Sequence, residues 1–172
     1  MMPRNRTFLA VMTALSFLGS ACNRRHAPAT LGPVDKIVVA KSLHTLTLMS
    51  GTHVLRVYKV ALGRSPVGAK TRKGDHKTPE GQYFIDAKKA NSRFYRALHI
   101  SYPNQIDRER AQKSGQDPGG DVEIHGIENG LGWIGGLHRA VDWTDGCIAV
   151  TDAEMDEIWN SVAVETPVEI KP

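Results

Sequence analysis

This 172-residue chain has two cysteines. Cys147 sits in Asp142-Trp143-Thr144-Asp145-Gly146-Cys147-Ile148-Ala149-Val150, and Cys22 follows an N-terminal stretch with the make-up of an export leader. A single thiol in the folded body of an exported protein has no intramolecular disulfide partner, so it is either buried and inert or kept for its reactivity. A free thiol titrates near ~8.5, which leaves only a few per cent as the nucleophilic thiolate at neutral pH. A histidine that takes the proton removes that handicap and gives a thiolate–imidazolium pair. His125-Gly126, 22 residues upstream, is the candidate base. Gly146, directly before Cys147, allows a substrate carbonyl to approach backbone N–H donors that would hold an oxyanion, as acyl transfer requires.

Other readings of the same residues stay open at this level. A Gly-Cys-Ile-Ala-Val strand with an inert buried cysteine is the ordinary outcome for this residue type, and a lone His125 is more often structural. A zinc site from His125, His138 and Cys147 lacks the close ligand spacing that such sites show.

The elements that would position these residues read mainly as strands. Lys36–Ala40, Leu43–Ser50 and His53–Leu62 alternate with a period near two, with Gly51-Thr52 as the turn between the second and third. Gly63–Gly68 reads as a loop and Lys70–Lys77 as a basic polar stretch. Thr78-Pro79-Glu80-Gly81 has the composition of a tight turn, and Tyr83–Asp86 that of a short strand. Asn104–Ser114 is polar and helix-prone, with Gly115 placed to end it. In Asp121–Gly126, Val122 and Ile124 alternate with Glu123 and His125, so a strand here puts the apolar pair in the core and brings His125 out on the other face. Thr151 and Glu154 form a capping box. Met155, Ile158, Trp159 and Val162 then make one apolar helical stripe, which is core packing. Pro167–Ile170 closes the chain as a strand.

Residues 1–21 have the three parts of a secretory signal: basic Arg4 and Arg6, an apolar run from Thr7 to Leu18, and small residues at Gly19-Ser20-Ala21. The run is short of the ~20 residues a membrane span needs. Leu18-Gly19-Ser20-Ala21-Cys22 is similar to a lipobox, in which Cys22 would carry a lipid. Ordinary cleavage after Ala21 is the alternative. Residues 22–34 then form a flexible tether and 35–172 one domain; the roughly 140 residues from Val34 suffice for one core. Without Arg4 and Arg6 the 22 basic residues fall to 20, against 18 acidic ones, a balance that points away from nucleic acid. The expected location is the periplasm or cell envelope, with outer-membrane anchoring if Cys22 is lipidated, and a monomer is expected.

Ile124-His125-Gly126 followed by Thr144-Asp145-Gly146-Cys147-Ile148 resembles the signature of bacterial L,D-transpeptidases of the YkuD type. Thr78-Pro79-Glu80-Gly81 with Tyr83-Phe84-Ile85 is similar to that family's upstream element. Ile100–Asn104, Asp117–Gly120 and Gly132–Thr144 resemble features of one of its branches. The resemblance covers about Lys36 to Lys171. It implies a mainly β domain, a twisted sandwich or barrel with one or two helices, and acyl transfer on peptidoglycan stem peptides without metal or organic cofactor. It further implies Cys147 as nucleophile, His125 as proton donor and acceptor oriented by a backbone carbonyl, and backbone groups at Gly146 and Gly126 serving the oxyanion and the histidine. His138, Trp143, Thr144, Asp145 and Arg139 would contact substrate; His138 is also the rival base.

Two positions depart from the pattern. Asp145 stands where many members carry His, and Ala149 where many carry Arg or Asn. Arg139 or Arg96 could substitute for the missing Arg. Hydrolysis by the same Cys–His pair, and a catalytically silent wall-binding lipoprotein, are the competing functions. The leader yields a direct expectation: if Cys22 is lipidated, Cys22→Ser moves the protein from the membrane to the soluble fraction on cell fractionation. An unchanged distribution contradicts lipidation.

Overall fold

The computed structural model describes residues 31–172. The signal peptide, Cys22 and most of the tether expected over 22–34 lie outside the described residues.

Eight strands form one sheet: β1 (Lys36–Ala40), β2 (Thr45–Ser50), β3 (His53–Lys59), β4 (Gly81–Ser92), β5 (Tyr95–Ile100), β6 (Glu123–His125), β7 (Ile148–Ala149) and β8 (Pro167–Lys171). Their spatial order is β3-β2-β1-β8-β4-β5-β6-β7. β4 makes the corner. Its first four residues pair with β8, and the rest pair with β5 after a register shift between Ile85 and Ala87. A strand that changes partners at an irregularity folds one sheet into two facing halves. The chain beyond β3 then meets the opposite edge through bridges Ala61↔Ala149 and Gly63↔Thr144. Both edges are thereby joined, which is the twisted, barrel-like β architecture that the family resemblance implies.

The halves and the helix α2 (Asp152–Ser161) share one core, in which Ile37, Leu46, Ile85, Leu98, Ile124 and Ile148 are fully buried with Met155 and Ile158 of the helix. α2 starts at the expected capping box, with Thr151 Oγ1 accepting from Glu154 N at 3.3 Å. Lys88 of β4 donates to the carbonyls of Trp159 (2.5 Å) and Val162 (2.9 Å), which satisfies acceptors at and just beyond the helix end. α1 (Gln105–Lys113) ends at Gly115 (φ 63°), where Gly115 N–H bonds to Gln112 O and Gln116 N–H to Ala111 O, the paired pattern of a Schellman motif.

Several bounds differ from the sequence reading. β4 is three times the length of the strand expected at Tyr83–Asp86, because the polar Lys88-Lys89 and Asn91-Ser92 hide its continuation. β5 is an addition, and β7 is confined to Ile148–Ala149 of the Gly146–Val150 stretch that could read as a strand. Thr78–Glu80 do not close a tight turn; they run as irregular chain into β4, with buried Lys41 donating to Thr78 O at 3.0 Å and pairing with Glu80 at 2.7 Å. A 3₁₀ segment, Gly132–Ala140, kinked at Gly135 (φ 50°), is a third helix beyond the one or two expected.

Candidate active site

Strand alternation and register bring the candidate pair together. β6 and β7 run parallel, with Ile124 opposite Ile148 and His125 opposite Ala149. Ile124 and Ile148 face the core, so Glu123, His125, Cys147 and Ala149 share the other face. Cys147 comes just before β7 and lies diagonally across from His125. Two glycines permit this layout. Gly146 has φ 128°, and a Cβ on it would sit 2.6 Å from Lys77 O. A Cβ on Gly126 would meet Asp152 Oδ1 at 2.6 Å. That Asp152 oxygen accepts Ile127 N–H at 2.8 Å, tying the exit of β6 to the first turn of α2.

His125 is only 2% exposed. Its Nδ1 lies 2.7 Å from Gly126 O. A carbonyl only accepts, so Nδ1 carries the proton and Nε2 is left as the basic nitrogen. Phe94, from the β4–β5 turn, stacks on the ring at 4.6 Å, and Trp143 meets it edge-on at 5.7 Å. Burial holds the imidazole below its ordinary pKa, although Gly126 O and Glu123 oppose that shift.

Cys147 is half-buried and free. Its pKa is pushed up to about 11, first by burial and then by the Glu123, Asp145 and Asp121 carboxylates; the Glu123 backbone N–H pulls the other way. Its Sγ donates to Asp121 O at 3.5 Å rather than to the His125 ring. Burial thus weighs against charge on both the thiol and the imidazole. The thiolate–imidazolium pair expected from residue types is therefore opposed by the desolvation of both partners.

The backbone donors are partly committed. Gly146 N–H donates to Thr144 Oγ1 at 3.1 Å, and Thr144 Oγ1 donates to Cys147 O at 2.8 Å. Buried Thr144 thus staples the loop that carries Cys147, and its hydroxyl is engaged on both sides within that loop. Gly126 N–H goes to the carbonyls of Phe94 and Arg96. Asp145 pairs with Arg64 and His76, and these partners hold its carboxyl below the usual range. His138 lies beyond Trp143, whose Nε1–H donates to its Nδ1 at 3.4 Å. Burial and Arg139 depress His138 to about 4, so it is neutral. Arg139 pairs with Glu154, and Arg96 pairs with Asp156 at 3.1 Å, so both candidate substitutes for the missing arginine already have acidic partners.

Two clefts flank the pair. Beyond the thiol lies a cavity of about 440 Å³ lined by Lys70, Lys73, His76, Asp117, Asp121 and Asp145. Beyond Trp143 lies an apolar groove of about 260 Å³ that includes Ile127, Leu131, Leu137 and His138. Among the described residues no group of three or more His, Cys, Asp or Glu side chains is arranged to hold a metal ion.

Phe94, Glu123, Lys89 and Asp152 did not figure among the candidates from sequence. Glu123 was within reach, since it lies two residues from His125 on the same strand face. Phe94 and Lys89 depend on β5 and on the full length of β4.

Residues 35–170 match the family described as YkuD, L,D-transpeptidase catalytic domain. A curated protein of Escherichia coli K12 named "Putative L,D-transpeptidase YafK" is 32% identical over 111 residues, 63% of this chain and 37% of that protein. The chain is thus aligned to well under half of that relative. Among solved structures, the helical cell shape determining protein Pgp2 from Campylobacter jejuni superposes with a TM-score of 0.62 at 24% identity, covering 83% of this chain and 51% of that one. An L,D-transpeptidase from Mycobacterium smegmatis gives 0.53 at 18% identity, covering 80% and 58%. At these identities the structural likenesses establish the fold.

The burial of both partners has a measurable consequence. Thiolate stability falls as the pKa rises, so alkylation of Cys147 by iodoacetamide in a Cys22→Ser background should be slow at pH 7. It should climb with a midpoint well above the ~8.5 of a free cysteine. Fast alkylation that persists below pH 6 would instead indicate a preformed ion pair.

Proposed function

This chain belongs to the L,D-transpeptidase catalytic domain family, and we propose from that premise that it is a cysteine acyltransferase acting on peptidoglycan tetrapeptide stems. The observation that carries the proposal is the shared face of two paired strands, with Cys147 diagonal to a histidine whose Nδ1 is fixed by the Gly126 carbonyl. In the proposed reaction, Cys147 Sγ attacks the carbonyl between the third, diaminopimelate-type residue and the terminal D-alanine. The thiol proton passes to His125 Nε2. The oxyanion is held by the Cys147 N–H, since the Gly146 N–H is committed to Thr144. Collapse breaks the C–N bond, and the imidazolium returns its proton to the departing D-alanine amine, leaving a thioester. An acceptor amine then attacks, gives a proton to His125, and displaces the Cys147 sulfur, which is reprotonated. The product is a new amide; with water as acceptor it is a carboxylate.

The cavity beside the thiol presents both Lys and Asp side chains, which suits a stem residue carrying both amine and carboxylate. The acidic partners of Arg139 and Arg96 favour a second reading, hydrolysis by the same thioester, since neither guanidinium is free to grip an acceptor carboxylate. A silent wall-binding protein would leave the thiol unmodified by any stem. We place the protein in the cell envelope on the strength of its leader and, if Cys22 is lipidated, at the outer membrane.

The test is incubation of purified sacculi or tetrapeptide muropeptides with wild type and Cys147→Ala, read by mass spectrometry. Loss of terminal D-alanine with new 3–3 crosslinks is the expected result, reduced by at least ~10³-fold in the variant. Shortened stems without crosslinks assign hydrolysis. Full activity in Cys147→Ala contradicts the mechanism.

A further inference from the structure

The face that carries Cys147 and His125 also holds an ion pair. Lys89 of β4 reaches Glu123 of β6 with Nζ–Oε1 2.6 Å. Two strand spacings separate β4 from β6, about 10 Å. Lys89 reaches diagonally across β5, over its own partner Ala97, which is small and fully buried, to Glu123, whose β5 partner is His99. Glu123 is well shielded, with 12% of its side chain exposed. By the β6–β7 register it stands opposite Cys147, and its backbone N–H touches the sulfur.

We propose that Lys89 and Glu123 are positioning residues that set the ionisation of the Cys147 thiol, Lys89 shielding the nucleophile from the Glu123 carboxylate. The other charged groups that face the thiol are held by partners, screened by solvent or exposed in the cavity beyond it, where Lys73 and Asp117 lie. Asp145 of the nucleophile's own loop is held by Arg64 and His76. Lys70, near Gly146, is buried with Asp75 at 2.9 Å. His99, the β5 residue opposite Glu123, binds Asp86 at 2.5 Å. Asp121, before β6, approaches Lys89 at 3.8 Å and is largely exposed, so solvent screens it. His125, the remaining neighbour, is disfavoured as a cation by burial. Of the three carboxylates that act on the sulfur, Glu123 is the shielded one, and Lys89 is the cation that answers it. A thiolate forming beside Glu123 meets a like charge, and beside Lys89 an opposite one.

The inference rests on Cys147 being the nucleophile, but it is read on the thiol itself, so its failure leaves the acyl-transfer reading standing. The experiment is the pH dependence of iodoacetamide alkylation in the full chain carrying Cys22→Ser. Its midpoint reports ionisation independently of access. Glu123→Gln removes the carboxylate and frees the ammonium, so the midpoint falls and alkylation at pH 7 rises about tenfold, one pH unit. Lys89→Met leaves Glu123 unanswered, so the midpoint rises and alkylation at pH 7 falls about threefold. The double variant Lys89→Met/Glu123→Gln returns the midpoint toward that of the parent. Opposite shifts with a restored double support the proposal. No shift, or shifts in one direction in both single variants, would overturn it.

Discussion

Two residue pairs of a parallel ladder, Ile124 with Ile148 and His125 with Ala149, hold the functional geometry of this protein. They are short elements, and nothing in β7 alone would keep them in register. The register is fixed from both sides: Ile124 and Ile148 are fully buried in the shared core, and Val150 N–H donates to His125 O. A slip of one residue would turn the thiol into the core and drive the isoleucines into the face that carries His125 and Ala149. The Gly146 backbone is pressed against Lys77, and Asp152 clamps the end of β6, so the neighbouring loops have no room for such a slip. The corner in β4 and the joining of both sheet edges serve the same end, since they bring the chain past β3 onto Ala149.

That rigidity comes with burial, and burial sets the chemistry. An exposed cysteine–histidine pair can separate charge readily; here both groups are pushed toward their neutral forms, and three carboxylates stand near the sulfur. In the proposed reaction the proton would move only once a substrate carbonyl is in place to receive the sulfur's electrons. Such a site is quiet toward chance electrophiles, to which a standing thiolate is vulnerable. The aromatic surround of Phe94 and Trp143 keeps water from His125, and the Gly126 carbonyl keeps Nε2 as its basic face.

Much of this is legible in the sequence, for identifiable reasons. Strands with clean alternation, such as Lys36–Ala40, and helices with side-chain caps, such as those begun by Asn104 and Thr151, announce themselves locally. The adjacency of Cys147 and His125 is not local; it was suggested by a motif resemblance, and only the parallel ladder supplies its physical cause. β5 and the far half of β4 were hidden because their outward residues are lysines, histidine and serine. With them were hidden Phe94 and Lys89, whose relevance comes from tertiary position. The free-standing arginines imagined for substrate binding are also a tertiary matter, because Glu154 and Asp156 pair with them from α2.

The central claim is that Cys147 forms a thioester with the stem peptide. It is tested most directly by quenching a reaction with tetrapeptide stems in acid and mapping the trapped adduct by tandem mass spectrometry. The account predicts the mass of the stem acyl group, minus D-alanine, on the peptide containing Cys147, with no adduct in Cys147→Ser, whose weaker nucleophile the buried His125 cannot activate to the same degree. D-Alanine release with the adduct on another residue, or at an undiminished rate in Cys147→Ser, would contradict it.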